Sequence, residues 1–356
     1  MRVAVVGVGV GGLAVAGHAG LGGHEVRVLD VRSEAVVPIQ QAGGIRVTGK
    51  EEGFASVVEA SLDPATVIPH ADLVVLVTQG QDQSAAAASI APHLSPGQVV
   101  LVKPGCTGGA LEVAEVLGDP RFLVAETDAF VFGCSNPRPG ESHIASIKQH
   151  FGVAALPADK TDDVLDLVTD VFPQATRAAD VLHTSLQNMN AILHLAPMVM
   201  NAGRIEHEGG RFDLYGDGVT PSVAAVMAAT DGERMAVALA LGIEVRPLLE
   251  WIGVSYGVEE TDLHTAIQRL HHDVYGPSPA PTTLEHRYLL EDVPCGSVPV
   301  VSLGEQLGVA VDLTGRCIHL ASRLLGRDLW GSGRTTARLG LANLSAAEIR
   351  ARVGSG

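Results

Sequence analysis

Short apolar runs alternate with stretches of helical length over about the first 180 residues of the chain. The runs are rich in valine and leucine and are typical of buried strands in a parallel sheet, with helices between them. Helices are predicted at 83–94 and 109–117. Strands are predicted at residues 3–6, 26–30, 72–78, 98–102 and 121–126, with late strands within 143–158. This alternation predicts a doubly wound α/β domain over residues 1–180.

The pattern becomes mainly helical after about residue 180. A proline-rich loop at 275–283 interrupts the helices. One long helix is predicted over 181–205, with others over 222–241, 245–256, 263–273, from 303 onward and 313–325. The expected fold is therefore α/β plus all-α, with an N-terminal doubly wound parallel sheet and a C-terminal helical domain at 181–356.

The first strand runs into a glycine-rich turn, Gly7-x-Gly9-x-x-Gly12, which a segment of helical length follows. Gly7 allows the tight turn, Gly9 lets the backbone approach a pyrophosphate, and Gly12 lets the helix pack closely on the strand. The first-turn N–H groups near Val10 and Gly11 would face the pyrophosphate. Strand, glycines and helix in this order predict a Rossmann domain that binds a dinucleotide.

Asp30 ends the second apolar run, about twenty residues after the glycines. Its carboxylate would accept hydrogen bonds from the ribose hydroxyls and favours NAD. Arg32 could hold a 2′-phosphate if Asp30 turned away, so NADP stays possible. Pro104 and Gly105 follow a predicted strand, where ligands of such sheets bind, and are expected to line the cofactor cleft.

The composition excludes several classes of partner. The 356 residues include 24 Lys and Arg against 40 Asp and Glu, a net charge of −16, so nucleic acid is not expected as a partner. No stretch predicts a membrane span, and the apolar N-terminus is interpreted as the first βα unit rather than a targeting segment. Four cysteines without CxxC spacing fit the reducing cytoplasm.

The long helical pattern carries Asn190 and His194, four residues apart and so on one face. Pro197 cannot donate a hydrogen bond to the carbonyl of Leu193, so the helix should kink or open beside His194. Such a histidine suits proton transfer. From this segment alone, a core histidine held by one hydrogen bond is the simpler interpretation.

A second polar group, Arg287, Glu291 and Asp292, follows the proline-rich loop. An arginine fork suits a substrate carboxylate, and a carboxylate beside an imidazole would fix its tautomer. A solvated charged turn explains the same residues. No metal site is predicted, because His271-His272-Asp273 lacks the spacing of two ligands on one helical face.

Longer motifs give the chain a family resemblance over essentially its whole length. It resembles the octopine/nopaline (opine) dehydrogenases in GVGVGG, KPGCTGGALE, VAETDAFVF, VLHTSLQNMNAILHLAP, YGDGVTPSVAAV, RYLLEDVPCGSVP and GRTTARLGL. The resemblance implies that an amino acid or amine condenses with an α-keto acid. NAD(P)H would then reduce the imine to a secondary amine dicarboxylate.

The resemblance also implies roles for the two polar groups. The family pairs the His of NxxxH with the Asp of RYxxEDxxxGxVP, which are His194 and Asp292 here. Asn190 would orient substrate and Arg287 would hold a carboxylate. Cytoplasmic location and a homodimer are further expectations.

Two departures leave the substrate open. Gln79-Gly80-Gln81-Asp82-Gln83 stands where many relatives read PAxxH, and Cys106 replaces the more usual Arg of PGRTGG. A hydroxy-acid or ketone reductase, an imine reductase that takes preformed imines, and a non-catalytic NAD-binding protein remain alternatives.

Overall fold

The computed structural model describes residues 1–354, and the chain divides into two compact units. The first comprises Met1–Ser185 with residues 351–354, and the second is Leu186–Arg350. Strands occur only in the first unit of the described chain, at β1 Arg2–Val6, β2 Glu25–Leu29, β3 Gly44–Gly49, β4 Gly53–Ser56, β5 Glu59–Ser61, β6 Leu73–Leu76, β7 Val99–Val102, β8 Leu123–Thr127, β9 Phe132–Ser135, β10 Glu141–Ile147, β11 Phe151–Leu156 and β12 Ala175–Arg177.

The α-helices fall in both units. The first unit holds α1 Val10–Leu21, α2 Ser33–Ala42, α3 Pro64–Val67, α4 Gln83–Ile90, α5 Gly109–Leu117, α6 Thr161–Val171 and α7 Val181–Leu186, which ends at its boundary. The second holds α8 Asn190–Met200, α9 Ala202–Glu208, α10 Pro221–Ala240, α11 Leu248–Tyr256, α12 Leu263–Leu270, α13 Arg287–Leu290, α14 Val298–Leu307 and α15 Asp312–Leu325, and α16 Ala346–Arg352 begins in it.

An eight-stranded sheet forms the centre of the first unit, in the order β12-β11-β8-β7-β6-β1-β2-β5. Its neighbouring strands are parallel except for β11, which runs antiparallel to β8. The chain starts at β1 in the middle and winds outward in both directions, as in a Rossmann fold. The predicted doubly wound sheet and the helical second half are therefore confirmed, and the strands predicted within 143–158 are β10 and β11.

A second sheet in this unit, of order β4-β3-β10-β9, was missed at the sequence level. Helix α1 packs against all four of its strands as well as against β1 and β2. A helix covered on several sides needs apolar and small residues all round, which explains its glycines and alanines. A Cβ on Gly17 would lie 2.6 Å from the Val47 side chain, and one on Gly20 2.8 Å from Ala55.

The prediction of one long helix over 181–205 is wrong. The segment forms α7, α8 and α9, with breaks at 187–189 and at Asn201. Pro197 lies inside α8, and the helix continues through it. The breaks fall where side chains compete for the backbone: Asn188 Oδ1 accepts the N–H of Asn190 at 3.1 Å, and Asn201 Nδ2 donates to the Pro197 carbonyl at 2.9 Å.

The core of the second unit lies between α8, α10, α11 and α12. Buried Arg234 on α10 pairs with Asp231 at 2.7 Å and donates to the Leu186 carbonyl. This arginine ties the segment that enters α8 to α10. Within the described residues, no helix is both long enough and apolar enough to cross a membrane.

Candidate active site

The predicted fingerprint glycines lie in the turn between β1 and α1. Gly7 has a φ of +89°, which L side chains rarely adopt. A Cβ on Gly12 would lie 1.8 Å from the Gly7 carbonyl oxygen, so only glycine lets α1 approach β1 this closely. Gly9 differs, because the nearest atom to its Cβ would be Arg32 Nη2 at 3.9 Å. Protein packing therefore does not require glycine at position 9, and the space beside its backbone is open.

The start of α1 presents backbone donors beside Gly9. The helix begins at Val10, and its first N–H groups lack intrahelical acceptors. Gly11 faces Phe130, because a Cβ there would lie 2.9 Å from the Phe130 ring. No role was expected of Phe130, yet its ring closes one side of the turn. The open space at Gly9 and the donors of α1 fit the pyrophosphate of a dinucleotide.

Asp30 follows β2 and is buried, with both carboxylate oxygens engaged. Oδ2 accepts the Val8 N–H at 2.8 Å and Arg32 Nη2 at 3.0 Å, and Oδ1 accepts the Arg32 backbone N–H at 2.9 Å and Nε at 3.0 Å. Burial raises the pKa of Asp30, but these donors outweigh burial and lower the pKa overall. Arg32, half exposed, therefore folds over the acid that the sequence assigned to the ribose.

Two loops that follow neighbouring strands meet at the carboxyl edge of the large sheet. Gln83, which is fully buried, donates from Nε2 to the Pro104 carbonyl at 2.9 Å. Gln83 is the last residue of the segment 79–83 that departs from the family pattern, and its amide links the two loops. Cys106 lies in the second loop with a φ of +56° and is buried.

Buried Glu126 on β8 holds the Pro104–Gly105 loop in place. Its Oε2 accepts the Ala110 N–H at 2.7 Å, and its Oε1 accepts the Ser185 hydroxyl at 2.7 Å. A Cβ on Gly105 would lie 2.5 Å from Oε2, which explains the glycine at this position. The carboxylate thus fixes the loop predicted to line the cofactor cleft.

Lys103, at the end of β7, is the other buried charge of this edge. Its Nζ lies 3.6 Å from the centre of the Phe151 ring and 4.5 Å from that of Phe172. Nζ has no hydrogen-bond partner in the described chain. Burial lowers the pKa of Lys103 well below 10.5, Asp128 opposes that shift, and Lys148 adds to it.

The second unit brings together His194 on α8 and Asp292 after α13. His194 Nδ1 lies 2.7 Å from Asp292 Oδ2, and both side chains are buried. Nδ1 is the one nitrogen of this ring with a hydrogen bond to the described residues. If Nδ1 carries the proton toward the carboxylate, Nε2 is the atom left for proton transfer.

Local structure explains how Asp292 reaches the histidine. His286 caps α13 by accepting the Tyr288 N–H, and this short helix ends at Leu290. A π-helical turn, Val293–Ser297, then leads into α14. Asp292 lies between them, with its N–H bonded to the Arg287 carbonyl at 3.2 Å. A change of helical type at this point directs the acid toward α8.

The two predicted substrate residues lie in the same unit. Asn190 begins α8, one turn before His194, and is half-buried. Arg287 is half exposed, and its Nε and Nη2 each lie 2.9 Å from Oε2 of buried Glu291. Glu291 therefore sets the direction of the Arg287 guanidinium.

Tyr288 is a neighbour of His194 that the sequence left without a role. Their rings stack at 3.7 Å between centres and 14° between planes. Burial raises the pKa of Tyr288, and a hydrogen bond with the Tyr215 side chain opposes that shift. The spacing of Tyr288 and Asp292 is four residues, so a helical reading of the motif could have placed both on one face.

A Rossmann unit with an open glycine turn, joined in one chain to a helical unit with a buried His–Asp pair, defines an NAD(P)-dependent oxidoreductase. The comparisons with known proteins agree. Residues 177–325 match the NAD/NADP octopine/nopaline dehydrogenase, alpha-helical domain, and residues 3–156 match the ketopantoate reductase PanE/ApbA family.

The opine dehydrogenase of Arthrobacter sp. (strain 1C) is 36% identical over 356 residues, which cover 98% of each chain. The chain therefore belongs to the opine dehydrogenase family. Octopine dehydrogenase in complex with NADH and agmatine superposes with a TM-score of 0.85 at 20% identity, over 98% of this chain and 97% of that one. NADP+-bound yersinopine dehydrogenase superposes with a TM-score of 0.75 at 14% identity, over 99% of this chain and 98% of that one.

Proposed function

We propose that this protein uses NAD(P)H to condense an amino acid or amine reductively with an α-keto acid. The product would be a secondary amine dicarboxylate. The observation that carries this proposal is the buried His194–Asp292 pair, whose contact through Nδ1 leaves Nε2 to the substrate. Family membership supports the reaction class, and the drifted Gln79–Gln83 and Cys106 positions leave the substrates to experiment.

In the proposed reaction His194 moves protons at Nε2. It accepts a proton as the amine adds to the keto carbon, and it donates one as the hydroxyl leaves as water. Asp292 accepts the Nδ1 hydrogen bond and stabilises the imidazolium. Asn190 orients the substrate, and Arg287 binds a substrate carboxylate with a guanidinium whose direction Glu291 fixes.

Residues of the first unit would hold the cofactor. Gly7, Gly9, Val10, Gly11 and Gly12 form the turn and helix start that face its pyrophosphate. When bound, the nicotinamide supplies the hydride that reduces the imine carbon.

The remaining cofactor residues lie at two places. Asp30 would bind the ribose hydroxyls, and Arg32 would bind a 2′-phosphate when NADPH is used. Pro104 and Gly105 would line the cleft.

The test is a matrix of α-keto acids against amines and amino acids, followed by NADH and NADPH oxidation and by mass spectrometry of the product. We expect oxidation that needs both substrates. His194→Ala should lower turnover by about 10²- to 10⁴-fold, with the Kd for NADH unchanged.

His272→Ala is the matched control. His272 also lies 2.7 Å from a carboxylate, that of Asp273, but its side chain is 87% exposed. We expect wild-type turnover from this variant. Wild-type turnover from His194→Ala instead would refute the role of the pair.

A second candidate is a hydroxy-acid or ketone reductase, which the match of residues 3–156 to ketopantoate reductases favours. Oxidation that needs a keto acid but no amine would select it. Turnover of preformed imines alone would select an imine reductase. Tight NADH binding without turnover on any pair would indicate a non-catalytic protein.

A homodimer and a cytoplasmic location complete the proposal. Sedimentation of the purified protein tests the first. For the second, none of the four cysteines forms a disulfide within the described chain, which suits a reducing compartment.

A further inference from the structure

The ring of Tyr288 covers one face of the His194 imidazole. The centres are 3.7 Å apart and the planes are within 14° of parallel, so the two rings are in van der Waals contact over their faces. The contact joins α13 to α8, two elements that lie close to each other. The stack covers one face of the imidazole and leaves Nε2, at the ring edge, uncovered by the phenol ring.

The hydrogen bond to Asp292 does not by itself fix the imidazole. The covalent link at Cγ and the hydrogen bond at Nδ1 hold two points of the ring, but a hydrogen bond tolerates bending of about 30°, so the ring can still tilt. Asp292 adds little further restraint, since its second oxygen, Oδ1, is buried without a hydrogen-bond partner in the described part of the chain. The plane of the ring, and so the direction of Nε2, needs a second contact.

Three contacts hold Tyr288. Its side chain forms a hydrogen bond with the side chain of Tyr215. The ring of His286 meets it edge-on, at 4.4 Å and 80°. The backbone N–H of Tyr288 donates to His286 Nδ1 at 3.4 Å. A ring fixed in this way presents a rigid plane to its neighbour.

We propose that Tyr288 is a positioning residue that sets the plane of the His194 imidazole and thereby aims Nε2. Asp292 fixes one point of the ring and Tyr288 fixes the plane, so the two together determine one orientation. The face of a phenol ring also attracts cations, which favours the stack when His194 becomes protonated. The kinetic consequence rests on the proposed function, whereas the orientation of the ring does not.

The experiment compares Tyr288→Phe, which keeps the ring face, with Tyr288→Leu, which removes it. Proton NMR of protein labelled with ¹⁵N-histidine follows the Nδ1–H of His194, identified by its loss in His194→Gln. We expect a protected downfield signal in the wild type and in Tyr288→Phe. In Tyr288→Leu the signal should broaden or exchange with water.

Turnover should follow the signal. We expect Tyr288→Leu to lower kcat by about 10- to 100-fold while KM for NADH stays within about twofold, because a misaimed proton-transfer group costs rate rather than cofactor binding. Tyr288→Phe should keep kcat within about threefold. Tyr256→Leu, which breaks the edge contact of Tyr256 with Trp251 elsewhere in the same unit, is the control for loss of an aromatic ring.

Tyr288→Leu with an unchanged His194 signal would overturn the proposal, as would equal losses of signal in Tyr288→Leu and Tyr256→Leu. If Tyr288→Leu does not fold, the test rests on Tyr288→Phe. The proposal is also overturned if the Nδ1–H of His194 in that variant exchanges with water as fast as in unfolded protein. If the wild type turns over no amine and keto acid, the proposed function fails. The NMR comparison still decides the role of Tyr288.

Discussion

Substitution of alanine at Gly9 and at Gly12 should separate cofactor binding from folding within one turn of chain. A Cβ at position 12 would lie 1.8 Å from the Gly7 oxygen and 2.8 Å from the Gly7 carbon, both backbone atoms. A Cβ at position 9 would meet nothing nearer than 3.9 Å, and its φ of −69° suits alanine. The same substitution three residues apart thus has opposite structural consequences.

The magnitudes follow from these contacts. Gly12→Ala must displace α1 from β1, and overpacking of this kind costs about 3 kcal/mol or more, hence a fall in Tm of about 6–12 °C. Gly9→Ala should leave Tm unchanged or slightly raised, because alanine restricts the unfolded chain. It should weaken NADH binding by about 10- to 100-fold, the loss of about 1.5–3 kcal/mol in charge-assisted hydrogen bonds to the pyrophosphate.

Thermal unfolding and titration of NADH fluorescence measure the two effects separately. Gly232→Ala is the control, because a Cβ there would have no neighbour within 4 Å and it lies on α10 of the other unit. It should bind NADH as the wild type does. NADH binding by Gly9→Ala at wild-type affinity, or equal losses of Tm in the two turn variants, would refute the reasoning.

Other expectations concern the charged groups of the first unit. Arg32→Ala should weaken the binding of NADPH about 10- to 30-fold relative to that of NADH, near the lower end for charge-assisted hydrogen bonds because Arg32 is half exposed. Asp30→Asn should instead shift the binding preference toward NADPH. Fluorescence titrations with both cofactors test this, and an unchanged ratio of the two Kd values contradicts it. Lys103→Met should raise the free energy of unfolding at pH 7 by about 1–4 kcal/mol. Since the pKa of Lys103 is lowered in the folded protein, the unfolded chain binds more protons between that pKa and 10.5, and the wild type should gain stability as pH rises. The difference in free energy of unfolding between Lys103→Met and the wild type should therefore narrow. Urea unfolding from pH 7 to 9.5 measures this difference, and a constant difference counts against the argument. Glu126→Gln should lower the free energy of unfolding by about 1–3 kcal/mol, because an amide nitrogen replaces one of the two accepting oxygens. An unchanged urea midpoint would disprove that loss.

The preference between NAD and NADP shows where local sequence ends as a guide. Asp30 alone favours NAD and Arg32 alone favours NADP. The folded chain pairs them through two side-chain hydrogen bonds of 3.0 Å, so each modifies the other. A pair of neutralised charges is compatible with either cofactor, and the balance depends on how readily a ligand displaces Arg32 from Asp30.

Local periodicity and turn geometry were enough to predict several features of the fold. The strand, glycine turn and helix around Gly7, the helix at Gly109–Leu117 and the helical second half all follow from spacing that a few residues define. The family motifs predicted a pairing of His194 with Asp292, although the two residues are 98 positions apart in the sequence. Their contact at 2.7 Å lies where those motifs led us to expect it.

Features that depend on contacts between residues distant in sequence could be seen only in the folded protein. The second sheet pairs β3 with β10, which lie roughly 95 residues apart in the sequence. Short strands of mixed polarity have no clear alternation from which such pairing can be predicted. The break of the 181–205 segment depends on the side chains of Asn188 and Asn201 finding backbone partners. The Tyr288 ring stacks on His194 because a short helix and a π-helical turn change the direction of the chain. No pattern of apolar and polar positions predicts this change of direction.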